Sequence, residues 1–188
     1  ENHYEDAPHL ILTKPDGLTK DFVRSFGPPN ARELGDSTTA ELSLYNQWLG
    51  QRITSVILSA GKPNCLNIPL CEILFSGLIN SLLWTGTLSH NRKKPKKYPV
   101  KFNKSGKEQL LLAGSGGIFL SLIKPGSEVK KGQKIGEIID LHSGTTHESI
   151  FARSNSYVLT LRDYPIVYQK EVLAILVEKQ KFRFWFFL

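Results

Sequence analysis

The sequence predicts two parts of different fold class, an α/β layer followed by a small all-β domain that resembles a barrel or sandwich. Strand-like and helix-like segments alternate in the first half of the chain, whereas short strand-like segments follow one another in the second half. Alternation indicates an α/β layer, and successive strands indicate a β domain. We therefore predict an α/β layer in residues 1–91, a linker in 92–108, the β domain in 109–180 and an aromatic tail in 181–188.

The elements of the first half are predicted from apolar spacing and from the residues that begin and end helices. Thr19 is the expected N-cap of the first helix, Thr38 or Thr39 that of the second, and the Gly-Pro-Pro run at 27–29 ends the first. The predicted elements, in order, are a strand at 9–13, a turn at 15–17, a helix at 19–26, a helix at 41–49, a buried strand at 53–60 and a helix at 70–83 that ends near Gly86.

The β domain is predicted from short apolar runs that are separated by tight turns. Pro125-Gly126 and Lys131-Gly132 mark two of these turns, because glycine reaches positive φ and proline fixes φ near its turn value. We expect residues 114–177 to form antiparallel strands, separate from the layer at 9–88. A structure with a continuous helix across residues 124–140 would contradict this expectation.

The basic segment between the two parts has the composition of a linker. Eight cations lie within sixteen residues that also contain Pro95, Pro99 and Gly106: Arg92, Lys93, Lys94, Lys96, Lys97, Lys101, Lys104 and Lys107. Lysines interleaved with Tyr98 and Phe102 would suit nucleic acid, since cations contact phosphates and rings stack on bases. No recognition motif accompanies the segment, so we expect a solvated connection and no nucleic-acid partner.

Composition limits the class of protein further. The chain has 188 residues, 40% of them hydrophobic, and a formal net charge of +7. The longest apolar stretch, residues 73–88, contains several polar residues and glycines, so we expect no transmembrane helix and no membrane partner. Cys65 and Cys71 have no metal-binding spacing, and the first residues have no signal-peptide pattern, so we expect reduced thiols and a cytoplasmic location.

Residues 77–82, Gly-Leu-Ile-Asn-Ser-Leu, and the order of the predicted strands after Gly116 carry a resemblance to a known family. The chain resembles succinylglutamate desuccinylases and aspartoacylases, which are zinc-dependent amide hydrolases related to the metallocarboxypeptidases. The resemblance covers the latter part of their carboxypeptidase-like catalytic domain and their C-terminal β domain. It implies a deacylase that uses zinc and acts on N-acyl amino acids or short peptides.

The same resemblance implies where zinc ligands should lie, and most are missing here. The family holds zinc with a His and a Glu from an early His-Gly-x-Glu motif and with the His of a later Asp-Leu-His motif. No His-x-x-Glu pattern precedes the strand at His9. By resemblance His3 is the candidate third ligand, with an exposed terminal histidine as the alternative, and His9 is a wall residue.

The catalytic glutamate that the resemblance implies is also missing. It belongs at the end of the strand at 53–60, where this chain has Ser59, and no acidic residue occurs between Glu41 and Glu72. An unactivated serine hydroxyl is a poor proton acceptor near pH 7. By this resemblance the catalytic residue is unknown, and we expect the chain to be a fragment, a sequence with omitted residues or a degenerate member of the family.

Other patterns in the β domain have plainer interpretations. The letters Asp-Leu-His at 140–142 lie in a predicted turn, so His142 and His147 are expected to be turn and surface residues rather than metal ligands. Ser115 lacks the strand-to-helix elbow of a nucleophile. Lipoyl and biotinyl carrier domains use a similar strand pattern but need a lysine at the hairpin tip, and residues 140–144 contain none.

Two classes of function remain open. The first is a zinc-dependent hydrolase of C–N amide bonds that is incomplete as it stands. The second is a noncatalytic binding protein that retains the fold, and a purely structural β module is its simplest form. The apolar residues of the tail at 181–188 also make a homo-oligomer a candidate assembly.

Overall fold

The computed structural model describes residues 3–35, 43–63, 65–89, 95–104 and 106–178. The chain divides into two compact units, one that ends at Lys107 and one that begins at Glu108. Helices lie in the first unit, and the described part of the second unit is built from strands. The predicted fold class, a partial α/β layer followed by a β domain, is confirmed. The expected caps Thr38 and Thr39, the residues 92–94 and the aromatic tail lie outside the described residues.

The sheet of the first unit is built around β1 (Tyr4–Thr13). Strand β2 (Asn30–Leu34) pairs with it in parallel, and β3 (Ile57–Gly61) pairs with it in the antiparallel direction. Strand β4 (Lys101–Asn103) extends the sheet by pairing in parallel with β2. The first strand was predicted at 9–13 and begins five residues earlier, and the added part contains Asp6, which pairs with Gly61 of β3.

Helix α1 (Gly17–Phe26) follows β1 directly and has a different N-cap from the one predicted. The Asp16 carboxylate accepts a hydrogen bond of 2.7 Å from the backbone N–H of Thr19, so Asp16 is the cap and Thr19 lies inside the helix. Aspartate and threonine are both good N-caps, so residue preference alone does not decide between them. Gly27 ends the helix with φ of 93°, as the glycine at this position predicted.

The remaining elements of the first unit differ in detail from the prediction. Helix α2 (Leu44–Gly50) begins after the N-cap Ser43, and helix α3 (Ile68–Trp84) begins after the N-cap Asn67. Strand β3 begins at Ile57 rather than at residue 53. It is not buried, because it pairs only with β1 among the described strands, and Leu58 is 39% exposed. Residues 101–103 of the predicted linker form β4, because Phe102 packs against the core of this unit.

Helix α3 packs against α1 through a close approach of the two backbones. A Cβ added to Gly77 would lie 2.6 Å from the carbonyl oxygen of Phe26. Next to it, the Asn80 side-chain amide donates to the carbonyl oxygens of Ser25 and Lys96, and its oxygen accepts from the Lys96 N–H at 2.9 Å. Gly77 allows the two backbones to approach, and Asn80 binds the Ser25 carbonyl oxygen of α1 together with the backbone of Lys96. No helix in the described part of the chain is long and apolar enough to cross a membrane.

The second unit contains two antiparallel sheets that share one apolar core. One sheet has the order β7-β10-β12-β5 and the other has the order β11-β6-β8-β9. Gly126 and Gly132 have φ of 86° and 81° at two of the predicted turns. The strands are β5 (Glu108–Leu112), β6 (Gly117–Ser121), β7 (Glu128–Val129), β8 (Lys134–Ile139), β9 (Thr146–Phe151), β10 (Ser156–Arg162), β11 (Ile166–Val167) and β12 (Val172–Glu178). The expected antiparallel domain without a helix across 124–140 is confirmed.

We predict that Gly77→Ala destabilises the first unit. The added methyl group would meet the Phe26 carbonyl and ring, and overpacking of this kind costs about 1–3 kcal/mol. The measurement is the free energy of unfolding from chemical denaturation. Gly50→Ala in α2 is the matched control, because its Cβ would meet nothing within 4 Å. A stability unchanged by Gly77→Ala would show that the two helices do not approach this closely.

Candidate functional site

A small polar cluster lies where β1 and β3 pair, and it contains the predicted Ser59. His9 of β1 lies opposite Ser59 of β3 in the antiparallel register. The Ser59 hydroxyl donates a hydrogen bond to the Asp6 carboxylate. Between Asp6 and His9 the register shifts by one residue, since Asp6 pairs with Gly61. Such a bulge redirects a side chain, and here it allows Asp6 and His9 to reach the same neighbour.

His9 is the most buried titratable group of this cluster, with 2% of its surface exposed. Its Nδ1 lies 2.8 Å from the Ala7 carbonyl oxygen, so Nδ1 carries the proton that is donated there. Burial lowers the pKa of His9, and Arg32 adds to this effect, while the Ala7 carbonyl and Asp6 oppose it. His9 is therefore a neutral imidazole near pH 7, with its Nε2 lone pair unprotonated.

Polar side chains continue across the sheet on the other side of His9. Asn30 of β2 pairs with His9 in the parallel register and is buried. The Asn103 amide of β4 donates to the Asn30 side-chain oxygen at 3.2 Å and to the Ala31 carbonyl at 3.3 Å. The row that runs from Ser59 through His9 to Asn103 offers neutral hydrogen-bonding groups, and Asp6 is the carboxylate beside it.

The described residues do not fit a zinc site. They contain no group of three or more His, Cys, Asp or Glu side chains that could hold a metal ion. His3, the ligand suggested by resemblance, is half-buried just before β1 begins. Cys65 and Cys71 are exposed free thiols. A catalytic zinc needs three protein ligands, so this part of the chain does not supply the set.

The turn between β8 and β9 accounts for the second histidine pattern. The Asp140 carboxylate accepts from the backbone N–H groups of His142 and Ser143, at 3.0 and 2.7 Å. These bonds, led by the one from Ser143, lower the pKa of Asp140. His142 and His147 are both exposed. The letters Asp-Leu-His at 140–142 thus describe a turn that is closed by its own carboxylate.

Ser115 is held in a comparable structural role. The Glu148 carboxylate of β9 accepts from the backbone N–H of Gly114 at 2.9 Å and of Ser115 at 3.1 Å. The Ser115 hydroxyl donates to the same oxygen at 3.3 Å. Glu148 therefore fixes the loop between β5 and β6. Among the described residues no histidine is hydrogen-bonded to Ser115 as a general base would be.

The described part of the basic segment is tied to α1. The Lys97 ammonium lies 3.0 Å from the Asp21 carboxylate, which also binds Arg24. Lys20 and Arg24 lie over the Phe102 ring, at 5.9 and 5.4 Å from its centroid. Phe102 also packs against the core of the first unit. Its ring is therefore already in use and is not presented for stacking on bases.

Asp6 is the residue that sequence reasoning missed. It lies in an acidic stretch at the start of the chain, 53 residues from Ser59, and only strand pairing brings the two together. The pattern of the sequence contains no signal for this contact, because the register shift that produces it depends on how β1 and β3 align. The structure therefore places one carboxylate beside the serine for which the resemblance implied a glutamate.

We predict that His9 makes the stability of the chain depend on pH. Since burial holds its folded pKa below the ordinary value of 6.5, the unfolded chain takes up the proton first. The free energy of unfolding should therefore fall as the pH decreases below about 6.5, until the folded-state pKa has been passed. His9→Gln, which keeps a donor for Ala7, should reduce this slope in denaturation experiments between about pH 7.5 and 5.

The exposed His147 offers the control, because His147→Gln removes a histidine without changing a buried group. If both variants keep the full slope, burial of His9 is not its cause.

Known proteins resemble this chain in structure but not in sequence. No protein-family model matches the sequence, and no curated protein matches it. A succinylglutamate desuccinylase/aspartoacylase from Rhodobacter sphaeroides matches with a TM-score of 0.76 and 17% identity, over 95% of this chain and 56% of that one. The ectoine utilization protein EutE from Ruegeria pomeroyi, in a product-bound structure, matches with a TM-score of 0.76 and 16% identity, over 94% and 55%.

A third similar structure is an aspartoacylase family protein from Mesorhizobium loti, with a TM-score of 0.70 and 20% identity, over 95% of this chain and 54% of that one. The chain thus spans about half the length of the structures it matches. At these identities the likeness concerns the fold. The chain has the fold of about half of a succinylglutamate desuccinylase/aspartoacylase family protein.

Proposed function

We propose that this chain is part of a zinc-dependent amide hydrolase of the succinylglutamate desuccinylase/aspartoacylase family, with N-acyl amino acids or short peptides as its substrates. The observation that carries the proposal is the likeness of fold over 95% of the chain to proteins of that description. The sequence element Gly77-Leu78-Ile79-Asn80, which carries the resemblance, also supports it. Gly77 lies against Phe26 of α1 and Asn80 accepts from the Lys96 N–H, so both residues make contacts that position α3.

We further propose that the chain by itself is catalytically incomplete. General-base catalysis in this family needs a carboxylate, and β3 carries Ser59 where the resemblance implies one. The Ser59 hydroxyl donates a hydrogen bond to the Asp6 carboxylate, which is a stronger base than water. Ser59 is therefore held as a hydrogen-bond donor. His3 is the proposed zinc ligand within the described residues, and the remaining ligands would have to come from polypeptide outside them.

A noncatalytic binding protein with the same fold is the second candidate. The replacement of the expected glutamate by Ser59 favours it, because polypeptide added elsewhere would not restore a carboxylate on β3. For either function we propose a cytoplasmic location, which the exposed free thiols of Cys65 and Cys71 support.

We predict that the purified chain binds no stoichiometric zinc. One histidine ligand does not hold a catalytic zinc, which needs three protein ligands. The measurement is the zinc content after dialysis against a weak chelator, with His3→Ala as the comparison. About one tightly held zinc per chain, lost in His3→Ala, would show that His3 binds zinc together with ligands outside the described ranges.

We predict that hydrolysis of N-acetyl and N-succinyl amino acids by the chain is undetectable above background. A general base contributes roughly 100-fold to 10,000-fold to the rate, and the metal site contributes more. The assay is the release of free amino acid with added zinc, and Ser59→Glu is tested beside the unchanged chain.

Asp6→Asn completes this experiment. It removes the carboxylate beside Ser59 and leaves a side chain of the same size. Turnover by the unchanged chain that a chelator abolishes would contradict incompleteness. If Asp6→Asn also abolished that turnover, Asp6 would be identified as the base.

A further inference from the structure

The ladder between β1 and β3 contains a bulge, and Pro8 lies within it. Asp6 pairs with Gly61 in the antiparallel register, and His9 pairs with Ser59. Three steps along β1 thus face two steps along β3. Proline has no backbone N–H, and within sheets it is confined to strand starts, edges and bulges. The bulge therefore occurs where the sequence of β1 lacks a ladder donor.

The bulge decides which side chain of β1 meets Ser59. Side chains alternate between the two faces of a strand, so Asp6 and His9, three residues apart, would point to opposite faces of a regular strand. One extra residue cancels that difference, and the Asp6 carboxylate accepts the hydrogen bond that the Ser59 hydroxyl donates. The two residues are diagonal neighbours, since Ser59 is two residues from the partner of Asp6. Strand β1 thus delivers a carboxylate to residue 59 of β3.

A second carboxylate, at position 59 itself, would conflict with this contact. A serine hydroxyl can donate a hydrogen bond to Asp6, whereas an ionised glutamate has acceptors only. Asp6 and Ser59 are both half-buried, so two negative charges here would be screened less than at an exposed site. Two carboxylates that share a site disfavour each other's charged form. The contact between β1 and β3 therefore suits one carboxylate and one donor.

We propose that this site holds a single carboxylate, which β1 supplies through Asp6 in the place that the resemblance assigns to a glutamate at position 59. The inference rests on the proposed function, because the resemblance is what expects a glutamate there. Asp6 is then the carboxylate that this chain contributes to the site, and Ser59 positions it. Restoring the glutamate alone would disrupt the site rather than repair it.

The test compares glutamate with glutamine at position 59, since the two side chains have the same size and differ in charge. Ser59→Glu and Ser59→Gln are each made in the unchanged chain and together with Asp6→Asn, and the unfolding equilibrium constant is measured by chemical denaturation. In the unchanged chain we expect this constant to be about 10-fold larger for Ser59→Glu than for Ser59→Gln. With Asp6→Asn we expect the difference to fall to about 2-fold or less, because asparagine is neutral and can donate to the new carboxylate.

Glu5→Gln is the matched control background. Glu5 is half-buried like Asp6, but as the preceding residue of β1 it points to the other face of the strand. The difference between glutamate and glutamine at position 59 should therefore remain about 10-fold with Glu5→Gln. A difference below about 2-fold in the unchanged chain overturns the proposal, and so does one that persists with Asp6→Asn or disappears with Glu5→Gln.

Circular dichroism shows which variants fold. If Ser59→Glu does not fold, its recovery with Asp6→Asn supports the proposal, and a failure to recover overturns it. If position 59 accepts neither long side chain, Ser59→Asp and Ser59→Asn repeat the comparison with side chains that are one carbon shorter. None of these measurements uses zinc or a substrate, so they can fail while the proposed amide hydrolysis stands, and the hydrolysis can fail while they succeed.

Discussion

Strand β1 is the element on which the first unit depends, because it has hydrogen-bonded partners along both edges. Parallel β2 occupies one edge and antiparallel β3 the other. A strand with two neighbours is fixed in register from both sides, and a slip of one residue would exchange its two faces. Leu10 and Leu12 are fully buried on this strand, so the register also sets which residues form the core.

The same pairing creates the polar cluster. Asp6, His9 and Ser59 meet because β1 contains one more residue than β3 between two paired positions. Burial keeps His9 neutral, and Ser59 is bonded to Asp6 rather than to His9. The arrangement therefore differs from a nucleophilic serine, whose hydroxyl is hydrogen-bonded to a histidine base. It is better described as a carboxylate held in place by a serine, next to a buried imidazole.

Helix α3 is positioned by its contact with α1. Gly77 has no side chain, which allows α3 to contact α1, and Asn80 donates a hydrogen bond to the Ser25 carbonyl oxygen near the end of α1. Large apolar side chains elsewhere on α3, among them Ile68, Ile73 and Phe75, are exposed. The Gly-Leu-Ile-Asn motif at 77–80 thus accounts for the contact of α3 with α1.

The sequence alone determined the fold class, the β domain with its glycine turns and the presence of α1 and α3, because these follow from local spacing and turn chemistry. It also indicated the likeness of fold to desuccinylases and aspartoacylases, and by that resemblance Ser59 stands where a glutamate is expected. Tertiary structure decided that residues 101–103 are a strand and that β3 is exposed at an edge. It alone placed Asp6 beside Ser59, since a contact across 53 residues depends on strand register, which no local pattern contains.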